Sequence, residues 1–355
     1  MYREKLIKLL ESIQPADKKE VWIWGAGNTA QLYSRDLSRL EKNGEFHFEG
    51  YCDNNRDKWG TSLNDKEVIS PQELFSRYDV LVLICSIVPE RIQQIKEELS
   101  SRRISAVSID AFFLNRYKEK VLNFYDLLDD ERSREIFYLL VECRVHEAFP
   151  SADLYSDNQY FAIKQFAKRD FEEVFVDCGA YVGDSVEQYI WHKMSVFKKI
   201  IAFEPDEDNY RAMEKRMIRL KEEWNIPDEK IELRKCGLGD KQENLAINKK
   251  GSGSSLSVVD CETEDFCCVT SVDAALNEKI GFIKADIEGS EYEMLLGAKE
   301  SIRRYTPLIA VAIYHNAIAL FDIALLIHGI DSKYHFSIRH HSFEMDETVL
   351  YAWTE

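Results

Sequence analysis

The sequence predicts an α/β protein with two parallel-sheet domains and a helical stretch between them. Short apolar segments alternate with helical patterns twice along the chain, before residue 110 and again after residue 171. Alternating strands and helices of this kind are typical of parallel sheets covered by helices. The length of 355 residues fits two domains, since a domain usually holds roughly 100–200 residues. We divide the chain into residues 1–114, a connector at 115–170 and residues 171–355.

The net charge and the hydropathy of the chain limit the kinds of partner that the protein can bind. The formal net charge is -17 and the isoelectric point is about 5.1. A protein that binds DNA or RNA needs a basic face, so we expect no nucleic-acid partner. The longest apolar runs, Val80–Val88 and Leu308–Tyr314, are much shorter than the ~20 residues of a membrane helix, so we expect no membrane span.

The cysteines indicate a reducing compartment. The eight cysteines contain no CxxC pair, which is the usual spacing of zinc ligands. Reduced thiols that serve as small hydrophobic residues are typical of the cytoplasm. Met1–Ile13 mixes charged and apolar residues as in an amphipathic helix, so we expect no signal peptide and a cytoplasmic location.

The N-terminal elements follow from strand and turn signals. Ser70 and Pro71 mark a helix start, with Ser70 as the N-cap and Pro71 as the first helical residue. The predicted elements are a helix at 1–13, a strand, glycine turn and helix at Lys19–Ala30, a strand at Phe46–Asp53, a helix beginning at 68–71, a strand at Asp79–Ser86, a helix at Pro89–Leu99 and a strand at Ala106–Ile109.

The turn Gly25-Ala26-Gly27, followed at a distance by Asp53, matches part of a dinucleotide-binding motif. The match is short, and we favour a related domain that binds another ligand or none. Asp53 and Asn54 also suit a polar turn that has no ligand.

The stretches WIWGAGNTAQLY, EGYCDNNRDKWG, VISPQEL and DVLVLICS cover about residues 19–110. They resemble the small Rossmann-like domain found in front of sugar-modifying enzymes of bacterial polysaccharide synthesis, where it is associated with nucleotide-sugar binding. The resemblance implies that Gly25, Gly27, Asp53 and Asn54 face a nucleotide sugar.

The connector has a helical pattern. Ser133–Val145 carries apolar residues at helical spacing, which is typical of a helix that packs between two domains. Turn-forming residues then fill Pro150–Asn158. The aromatic pair Tyr160 and Phe161, after Gln159, suits either packing or a lid over a ligand.

The second domain is organised around Glu172–Asp184, with the sequence EEVFVDCGAYVGD. An apolar strand ends at Asp177, and a glycine-rich turn then opens a helix. Gly179 and Gly183 allow a tight turn that brings the backbone close to a ligand. Asp177, at the carboxyl end of the strand, should face the crevice in which open α/β sheets bind ligands.

Other strands of this domain also end in polar residues. The predicted strand ends are Glu204 in Lys199–Pro205, Gly237–Asp240 after Ile231–Cys236, Asp286 in Phe282–Asp286 and His315 after Leu308–Tyr314. We also expect a closing antiparallel pair of strands at Tyr334–Ile338 and Glu347–Trp353. Glu204 follows Asp177 by about one βαβ unit, the distance at which a second-strand acid binds a ribose. The series resembles the seven-stranded fold of S-adenosylmethionine-dependent methyltransferases. In that fold the glycine turn holds the methionine part, the second-strand acid holds the ribose and the fourth-strand tip faces the methyl group.

The sequence stretches of the C-terminal region resemble one particular family of methyltransferases. VFVDCGAYVGDS, IIAFEPDEDNY, GSSL, VTSVDAAL, FIKADIEGSEYEMLLGA and PLIAVAIYHN closely resemble the FkbM family of methyltransferases, from about Phe124 to the C-terminus. Stretches like Arg339–Ser342 and Glu347–Ala352 are frequent in that family. The resemblance implies an α/β fold with two Rossmann-like domains, the C-terminal one a seven-stranded class I methyltransferase sheet. It also implies methylation of hydroxyl groups, commonly on sugars or polyketides.

The resemblance implies roles for individual residues. Asp240 would lie near the adenine, and Asp286, Glu288 and Glu291 near the reacting methyl group and the acceptor. The residues that would bind S-adenosylmethionine are Asp177, Cys178, Gly179, Ala180, Tyr181, Gly183, Asp184, Glu204, Pro205, Gly239, Asp240 and Asp286.

A sugar hydroxyl needs a base within hydrogen-bond reach, because it is a poor nucleophile at neutral pH. His315 is our first candidate, since histidine has a suitable pKa, and Asp286 is the second. Glu288 is the third residue that we predict to be catalytic. The alternative for His315 is a strand-end histidine that is satisfied by backbone groups.

No metal site is expected. Asp286, Glu288 and Glu291 offer oxygen ligands of the kind that Mg²⁺ prefers, but Glu288 and Glu291 more simply cap the helix that begins there. His340 and His341 are adjacent on a predicted strand and point to opposite faces, so they would not readily bind one ion. A solvated face is expected for this pair.

The sequence thus favours an S-adenosylmethionine-dependent O-methyltransferase that acts on a hydroxyl of a sugar, sugar nucleotide or related glycan precursor of polysaccharide biosynthesis. Two alternatives remain, an NAD-dependent oxidoreductase that uses Gly25–Ala30 and a non-catalytic nucleotide-sugar binding protein. The expected partner is a small-molecule or glycan acceptor, and no oligomeric state is predicted.

Overall fold

The computed structural model describes residues 2–13, 20–250, 253–257 and 266–355. Lys19, with which the first predicted strand begins, lies outside the described residues, and so does Cys261. Each helix within these ranges is too short or too polar to cross a bilayer.

Six strands of the N-terminal region form one sheet. The strands are β1 (Glu20–Trp24), β2 (His47–Cys52), β3 (Ser62–Leu63), β4 (Lys66–Ile69), β5 (Val80–Ile84) and β6 (Ser105–Ser108), and the helices are α1 (Tyr2–Ser12), α2 (Asn28–Gln31), α3 (Ser34–Lys42), α4 (Pro71–Phe75) and α5 (Pro89–Ser101). The strand order is β3-β4-β2-β1-β5-β6. Pairing is parallel except between β3 and β4, which confirms the predicted parallel sheet.

The predicted start of α4 is confirmed, because Ser70 caps the helix and Pro71 is its first residue. Residues 68 and 69 belong to β4 and not to the helix, since they pair with β2 at the edge of the sheet. The sequence analysis missed the short β3–β4 hairpin that this pairing completes.

The connector contains three helices, α6 (Ile109–Arg116), α7 (Lys118–Leu127) and α8 (Glu131–His146). The helix predicted at Ser133–Val145 is confirmed as the greater part of α8. Helix α1 packs against both α7 and α8. The predicted boundary at residue 114 falls inside α6, and the division into three parts stays a prediction.

The C-terminal region holds a second, larger sheet. Its elements are β7 (Val174–Cys178), α9 (Asp184–Lys193), β8 (Lys199–Phe203), α10 (Glu207–Trp224), β9 (Ile231–Arg234), β10 (Gly237–Leu238), β11 (Glu243–Lys250), β12 (Gly253–Ser257), β13 (Phe266–Thr270), α11 (Val272–Ala275), β14 (Phe282–Ala285), α12 (Glu291–Leu296), α13 (Lys299–Tyr305), β15 (Leu308–Ala312), α14 (Ala319–Ile330), β16 (His335–His340) and β17 (Thr348–Trp353).

Seven of these strands form one sheet in the order β9-β8-β7-β14-β15-β17-β16. β17 runs antiparallel to β15 and pairs with β16 as the predicted closing hairpin, while the other neighbours are parallel. The predicted seven-stranded sheet is therefore confirmed. A four-stranded sheet, β10-β13-β11-β12, is inserted between β9 and β14 and was not predicted.

The two regions share a hydrophobic core. Successive strand residues point to opposite faces of a sheet, so Val174 and Val176 join one buried cluster and Phe175 joins another. The cluster that holds Val174 also contains Phe113 of α6 and Tyr33, close to the start of α3. This continuous packing fixes the N-terminal region against the larger sheet.

A polar network crosses the same boundary. The guanidinium of Arg144 in α8 lies 2.5 Å from the Asp110 carboxylate of α6 and donates to the Tyr314 carbonyl oxygen at 2.9 Å. Tyr33 donates its hydroxyl proton to Asp110, and its oxygen accepts the N–H of Ala317 at 3.0 Å. The network ties the N-terminal region to the segment that follows β15.

We predict that Arg144→Met lowers the free energy of unfolding by about 3 kcal/mol, because it leaves Asp110 without its countercharge. Urea unfolding followed by circular dichroism measures the loss. Arg3→Met is the matched control, since the ion pair between Arg3 and Asp126 is half exposed and should contribute nothing measurable. Equal effects of the two variants would contradict the prediction.

Candidate active site

A cavity of about 330 Å³ opens at the carboxyl ends of β7, β8 and β14. Ligands of open α/β sheets bind at this edge, beside the point where strand order reverses. The lining residues are Gln159, Tyr160, Gly179, Tyr181, Asp184, Ser185, Gln188, Phe203, Glu204, Pro205, Asn209, Cys236, Gly237, Leu238, Lys284, Asp286, Ile287, Glu288, Tyr314 and Glu347. We call it the sheet-edge cavity.

The glycine turn shapes one wall of this cavity. Gly179 and Gly183 both have φ of +81°, a conformation that favours glycine. A Cβ atom on Gly179 would lie 2.0 Å from the carbonyl oxygen of Asp286, so only glycine allows the turn to approach the end of β14. Of the predicted turn residues, Tyr181 and Asp184 also line the cavity, whereas Cys178, Ala180 and Gly183 do not.

Asp177 does not face the crevice, and this corrects the prediction. Its side chain is fully buried below the cavity, where Lys284 lies 3.1 Å from one carboxylate oxygen and Ser185 donates to the other. Lys284 also donates to the Gly179 carbonyl oxygen at 2.7 Å. Burial alone would lower the pKa of Lys284, but attraction to Asp177 and Asp286 raises it, so the lysine stays charged.

Glu204, directly after β8, lines the cavity as predicted. One carboxylate oxygen accepts the N–H of Tyr181 at 2.9 Å, and the other accepts the N–H of Asp206 at 2.9 Å. The oxygen that accepts from Asp206 also accepts a long hydrogen bond from the Asn209 side-chain amide at 3.5 Å, whereas the oxygen that accepts from Tyr181 keeps a further lone pair for a ligand hydroxyl. Burial raises the pKa of Glu204 to about 7 in spite of these hydrogen bonds.

The loop after β9 reaches the cavity with different residues from those expected. Cys236, Gly237 and Leu238 line the cavity, whereas Gly239 and Asp240 do not. The chain turns away at β10 to join the inserted sheet, where the N–H of Gly239 bonds the Thr270 carbonyl oxygen. Asp240 is exposed, so the structure gives its predicted place beside an adenine no support.

Asp286, after β14, lies at the centre of the polar wall. Its carboxylate accepts the hydroxyl protons of Tyr160 at 3.1 Å and Tyr314 at 3.2 Å. Burial alone would raise the pKa of Asp286, but the contact with His315 and the charge of Lys284 bring it below its usual value. The group is therefore a firmly held carboxylate.

His315 lies behind this wall and does not line the cavity. Its Nε2 atom is 3.0 Å from a Glu291 carboxylate oxygen and 3.4 Å from an Asp286 oxygen, and its side chain is only 4% exposed. Burial opposes the charged form, but the two carboxylates raise the pKa of His315 well above its usual value. An imidazolium has no lone pair for a proton, so this geometry does not support His315 as the base.

Glu291 and Glu288 have different roles from simple helix capping. The buried Glu291 carboxylate accepts the N–H groups of Ile287 at 2.8 Å and Gly289 at 3.3 Å, and so fixes the loop before α12. Glu288 lines the cavity, and burial raises its pKa.

Glu347 is a cavity residue that the sequence analysis missed. β17 is antiparallel, so the residue before this strand lies at the same edge as the ends of the parallel strands. The predicted antiparallel pair contained this signal. Gln159 donates to the Glu347 carboxylate, and burial raises the pKa of Glu347 to about 6.

Four non-glycine residues of the cavity wall have positive φ. The values are +66° for Tyr160, +48° for Tyr181, +55° for Glu288 and +52° for Glu347. Each costs about 1–3 kcal/mol, and such residues cluster at functional sites. Tyr160 is buried in the wall, so it forms part of the cavity and not a mobile lid.

The adjacent histidines are not solvated, which corrects the expectation. His340 is fully buried, and its Nδ1 lies 2.8 Å from the Thr348 hydroxyl. His341 contacts the Ser156 carbonyl oxygen and the Tyr351 hydroxyl. Both rings are held within the fold.

A metal ion could be held by Asp286, Glu291 and His315, whose ligand atoms lie within 4.8 Å of one another. In the structure His315 is an imidazolium between the two carboxylates, and it would have to lose its proton before it could bind a metal ion. The expectation of no metal stays a prediction.

The N-terminal glycine turn is closed by its own residues. The Asp53 carboxylate accepts the N–H groups of Ala26 and Asn55, each at 2.8 Å. Lys58 lies 2.9 Å from Asp53 and donates to the Ala26 carbonyl oxygen. Asp53 is thus engaged within the chain, as a polar turn requires.

We predict that Lys284→Met costs about 3–5 kcal/mol of stability, because it leaves Asp177 buried and unpaired. The loss should shrink as the pH falls, since a raised Asp177 pKa lets the carboxylate take up a proton. Urea unfolding at pH 8 and pH 5 measures both effects.

The double variant Asp177→Asn, Lys284→Met is the control, because it removes both charges and should recover most of the loss. A double variant no more stable than Lys284→Met would contradict the prediction.

Comparison with solved structures identifies the fold. Methyltransferase FkbM from Methylobacillus flagellatus KT matches with a TM-score of 0.61 and 18% identity over 99% of each chain. An rRNA methylase from Streptococcus thermophilus has a TM-score of 0.37 and 14% identity over 56% of this chain and 98% of its own. Fibrillarin from Aeropyrum pernix, with natively bound S-adenosyl-L-methionine, has a TM-score of 0.33 and 11% identity over 52% of this chain and 67% of its own.

Two stretches of the chain match protein-family models. Residues 17–109 match the family described as C2185-like, N-terminal, which leaves the resemblance to sugar-modifying enzymes without support. Residues 177–337 match the methyltransferase FkbM domain. A search of curated proteins finds no significant match. Residues 177–337 thus match a methyltransferase domain, the whole chain shares its fold with an FkbM methyltransferase, and the two findings together support a methyltransferase enzyme.

Proposed function

We propose that this enzyme transfers a methyl group from S-adenosylmethionine to a hydroxyl group of a sugar, sugar nucleotide or related glycan precursor. S-adenosylmethionine is the cofactor of the methyltransferase domain. One observation carries the proposal: the glycine turn, Glu204 and a group of carboxylates converge on a single cavity at the sheet edge. The free cysteines among the described residues are consistent with a cytoplasmic location.

The residues of the cavity suit the parts of this cofactor. The backbone turn at Gly179 would hold the methionine part, and the Glu204 carboxylate would accept the two ribose hydroxyl protons, one of them in place of the long contact from Asn209. Cys236 and Leu238 offer a less polar surface for the adenine. Bound S-adenosylmethionine supplies an activated methyl group on a positively charged sulfur, and the acidic wall favours that charge.

Glu347 is the group best suited to remove the proton of the acceptor hydroxyl. A general base works best when its pKa lies near the working pH, and burial raises the pKa of Glu347 to about 6. Asp286 is a weaker base because two tyrosine hydroxyls and His315 stabilise its carboxylate. Asp286 would instead orient the acceptor, while His315 holds Asp286 in place.

The alternative functions have less support. The Asp53 carboxylate is occupied by Lys58 and by backbone N–H groups, so an NAD ribose at Gly25–Ala30 would have to displace them. The match of residues 177–337 to a methyltransferase domain favours an enzyme over a non-catalytic binding protein.

We predict that S-adenosylhomocysteine binds roughly tenfold more tightly at pH 8 than at pH 6, because the Glu204 carboxylate accepts the ribose hydroxyl protons and is lost as the pH falls through about 7. Isothermal titration calorimetry measures the affinity. Glu204→Gln should bind more weakly with little pH dependence. A variant that kept the pH dependence of the wild type would refute this role for Glu204.

We predict that Glu347→Gln lowers kcat by about 10²-fold or more, since it removes the base. Transfer of labelled methyl groups to a panel of hexoses, hexosamines and their nucleotide derivatives measures turnover. The affinity for S-adenosylhomocysteine should not change. Glu344→Gln is the matched control, because Glu344 is exposed in the same loop. Equal activity of Glu347→Gln and the wild type would exclude Glu347 as the base.

A further inference from the structure

A second cavity of about 350 Å³ lies between the N-terminal domain and the methyltransferase domain. We call it the interdomain cavity. Its size is within the range of small-molecule sites, roughly 300–1,000 Å³. Its lining includes Gln31, Arg35 and Asn64 of the N-terminal domain and Glu288, Tyr292 and Glu293 of the methyltransferase domain.

The interdomain cavity adjoins the sheet-edge cavity. Glu288 lines both, and the loop that carries it forms the wall between them. Leu32 packs closely on this loop, since a Cβ atom on Gly289 would lie 2.4 Å from its Cδ2 atom. Asn316, just after β15, donates its amide proton to the Leu32 carbonyl oxygen at 3.2 Å. The N-terminal domain is thus held against the loop beside the reacting region.

The charges of the interdomain cavity disfavour a phosphate. Arg35 is the one cation among the described lining residues, and it is already engaged. Its guanidinium lies 2.9 Å from Glu293 and 3.4 Å from Asp36, and it stacks 4.1 Å above the centre of the Tyr292 ring. Glu288 adds further negative charge to the wall. Like charges brought together in a site strongly oppose binding.

Polar groups that suit hydroxyls are present in the interdomain cavity. Within the described chain, the Gln31 side-chain amide makes no hydrogen bond, so both its donors and its acceptor can serve a ligand. Asn64 donates its amide to the Tyr51 hydroxyl at 3.2 Å. Its side-chain oxygen can then accept a ligand hydroxyl proton. Amide groups beside carboxylates suit a polyhydroxyl compound.

We infer that the interdomain cavity is the acceptor-recognition subsite and binds an unphosphorylated sugar unit, either neutral or carrying an amino group. The inference rests on the proposed function, which supplies the methyl transfer in the adjoining cavity. The N-terminal domain then contributes Gln31 and Asn64 to acceptor binding, through α2 and the β3–β4 hairpin and not through Gly25, Gly27, Asp53 or Asn54. Any phosphate of the acceptor lies outside the interdomain cavity.

The test is saturation-transfer NMR on the full chain with S-adenosylhomocysteine present. The probes are the common hexoses and hexosamines and the 1-phosphates of the same sugars. Gln31→Trp fills the interdomain cavity, and Gln72→Trp is the matched control on the exposed face of α4. Calorimetry with S-adenosylhomocysteine verifies that each variant is folded and keeps its cofactor site.

The expected result is binding of at least one free hexose or hexosamine by the wild type and by Gln72→Trp. Loss of the Gln31 hydrogen bonds should weaken this binding about tenfold or more in Gln31→Trp, with cofactor affinity unchanged. Sugar binding that is equal in Gln31→Trp, or stronger for the 1-phosphate than for the free sugar, would overturn the inference.

Two further outcomes separate this inference from the proposed function. If the wild type binds S-adenosylhomocysteine but no sugar of the panel, the inference fails and methyl transfer to another hydroxyl compound stands. If the wild type binds no S-adenosylhomocysteine, the proposed function fails and the inference falls with it.

Discussion

Five ionisable side chains lie together at the sheet-edge cavity, with Lys284 and Asp286 in its lining and Asp177, Glu291 and His315 buried behind them. A buried charge is costly unless an opposite charge lies beside it. Lys284 meets Asp177, and His315 lies between Asp286 and Glu291, so two cations face three carboxylates. These contacts join β7, β14, the end of β15 and the start of α12. The wall of the cavity formed by the end of β14 depends on these ion pairs, because removal of one cation leaves a carboxylate buried without its countercharge.

Three other carboxylates that line the cavity lie without a neighbouring cation in the described part of the chain. Among the described residues, no cation lies within hydrogen-bond distance of Glu204, Glu288 or Glu347, and burial raises the pKa of each. Asp177, Asp286 and Glu291 have a cation of the chain beside them, whereas Glu204, Glu288 and Glu347 are available to a ligand. A positively charged sulfonium is attracted by such a surface, while the neutral product left after methyl transfer is attracted less. The same arrangement leaves a carboxylate that can accept a proton near neutral pH.

The fold was largely predictable from the sequence, and the site only in part. Strand positions follow from local apolar runs, and the glycine turn from its own residues, while the seven-stranded sheet was expected from the resemblance to S-adenosylmethionine-dependent methyltransferases; all three were predicted correctly. The partners of buried charges are not local, and the sequence does not show that Lys284 lies beside Asp177 or that Glu291 faces His315. For that reason Asp177 was expected in the crevice and His315 was expected to act as a base. Glu347 was missed because its position depends on the direction of β17, a property of the sheet and not of the residue.

The loop between the two cavities explains why the N-terminal domain matters to the chemistry. Glu291 bonds the backbone of this loop from the inside, and Leu32 packs on Gly289 from the N-terminal domain. Glu288 projects from the same loop with a strained backbone, a conformation that persists only where neighbouring contacts determine it. The N-terminal domain supplies one of those contacts, and without it the loop would be free to relax. The domain that shapes the interdomain cavity thus also contacts the loop that forms one wall of the sheet-edge cavity.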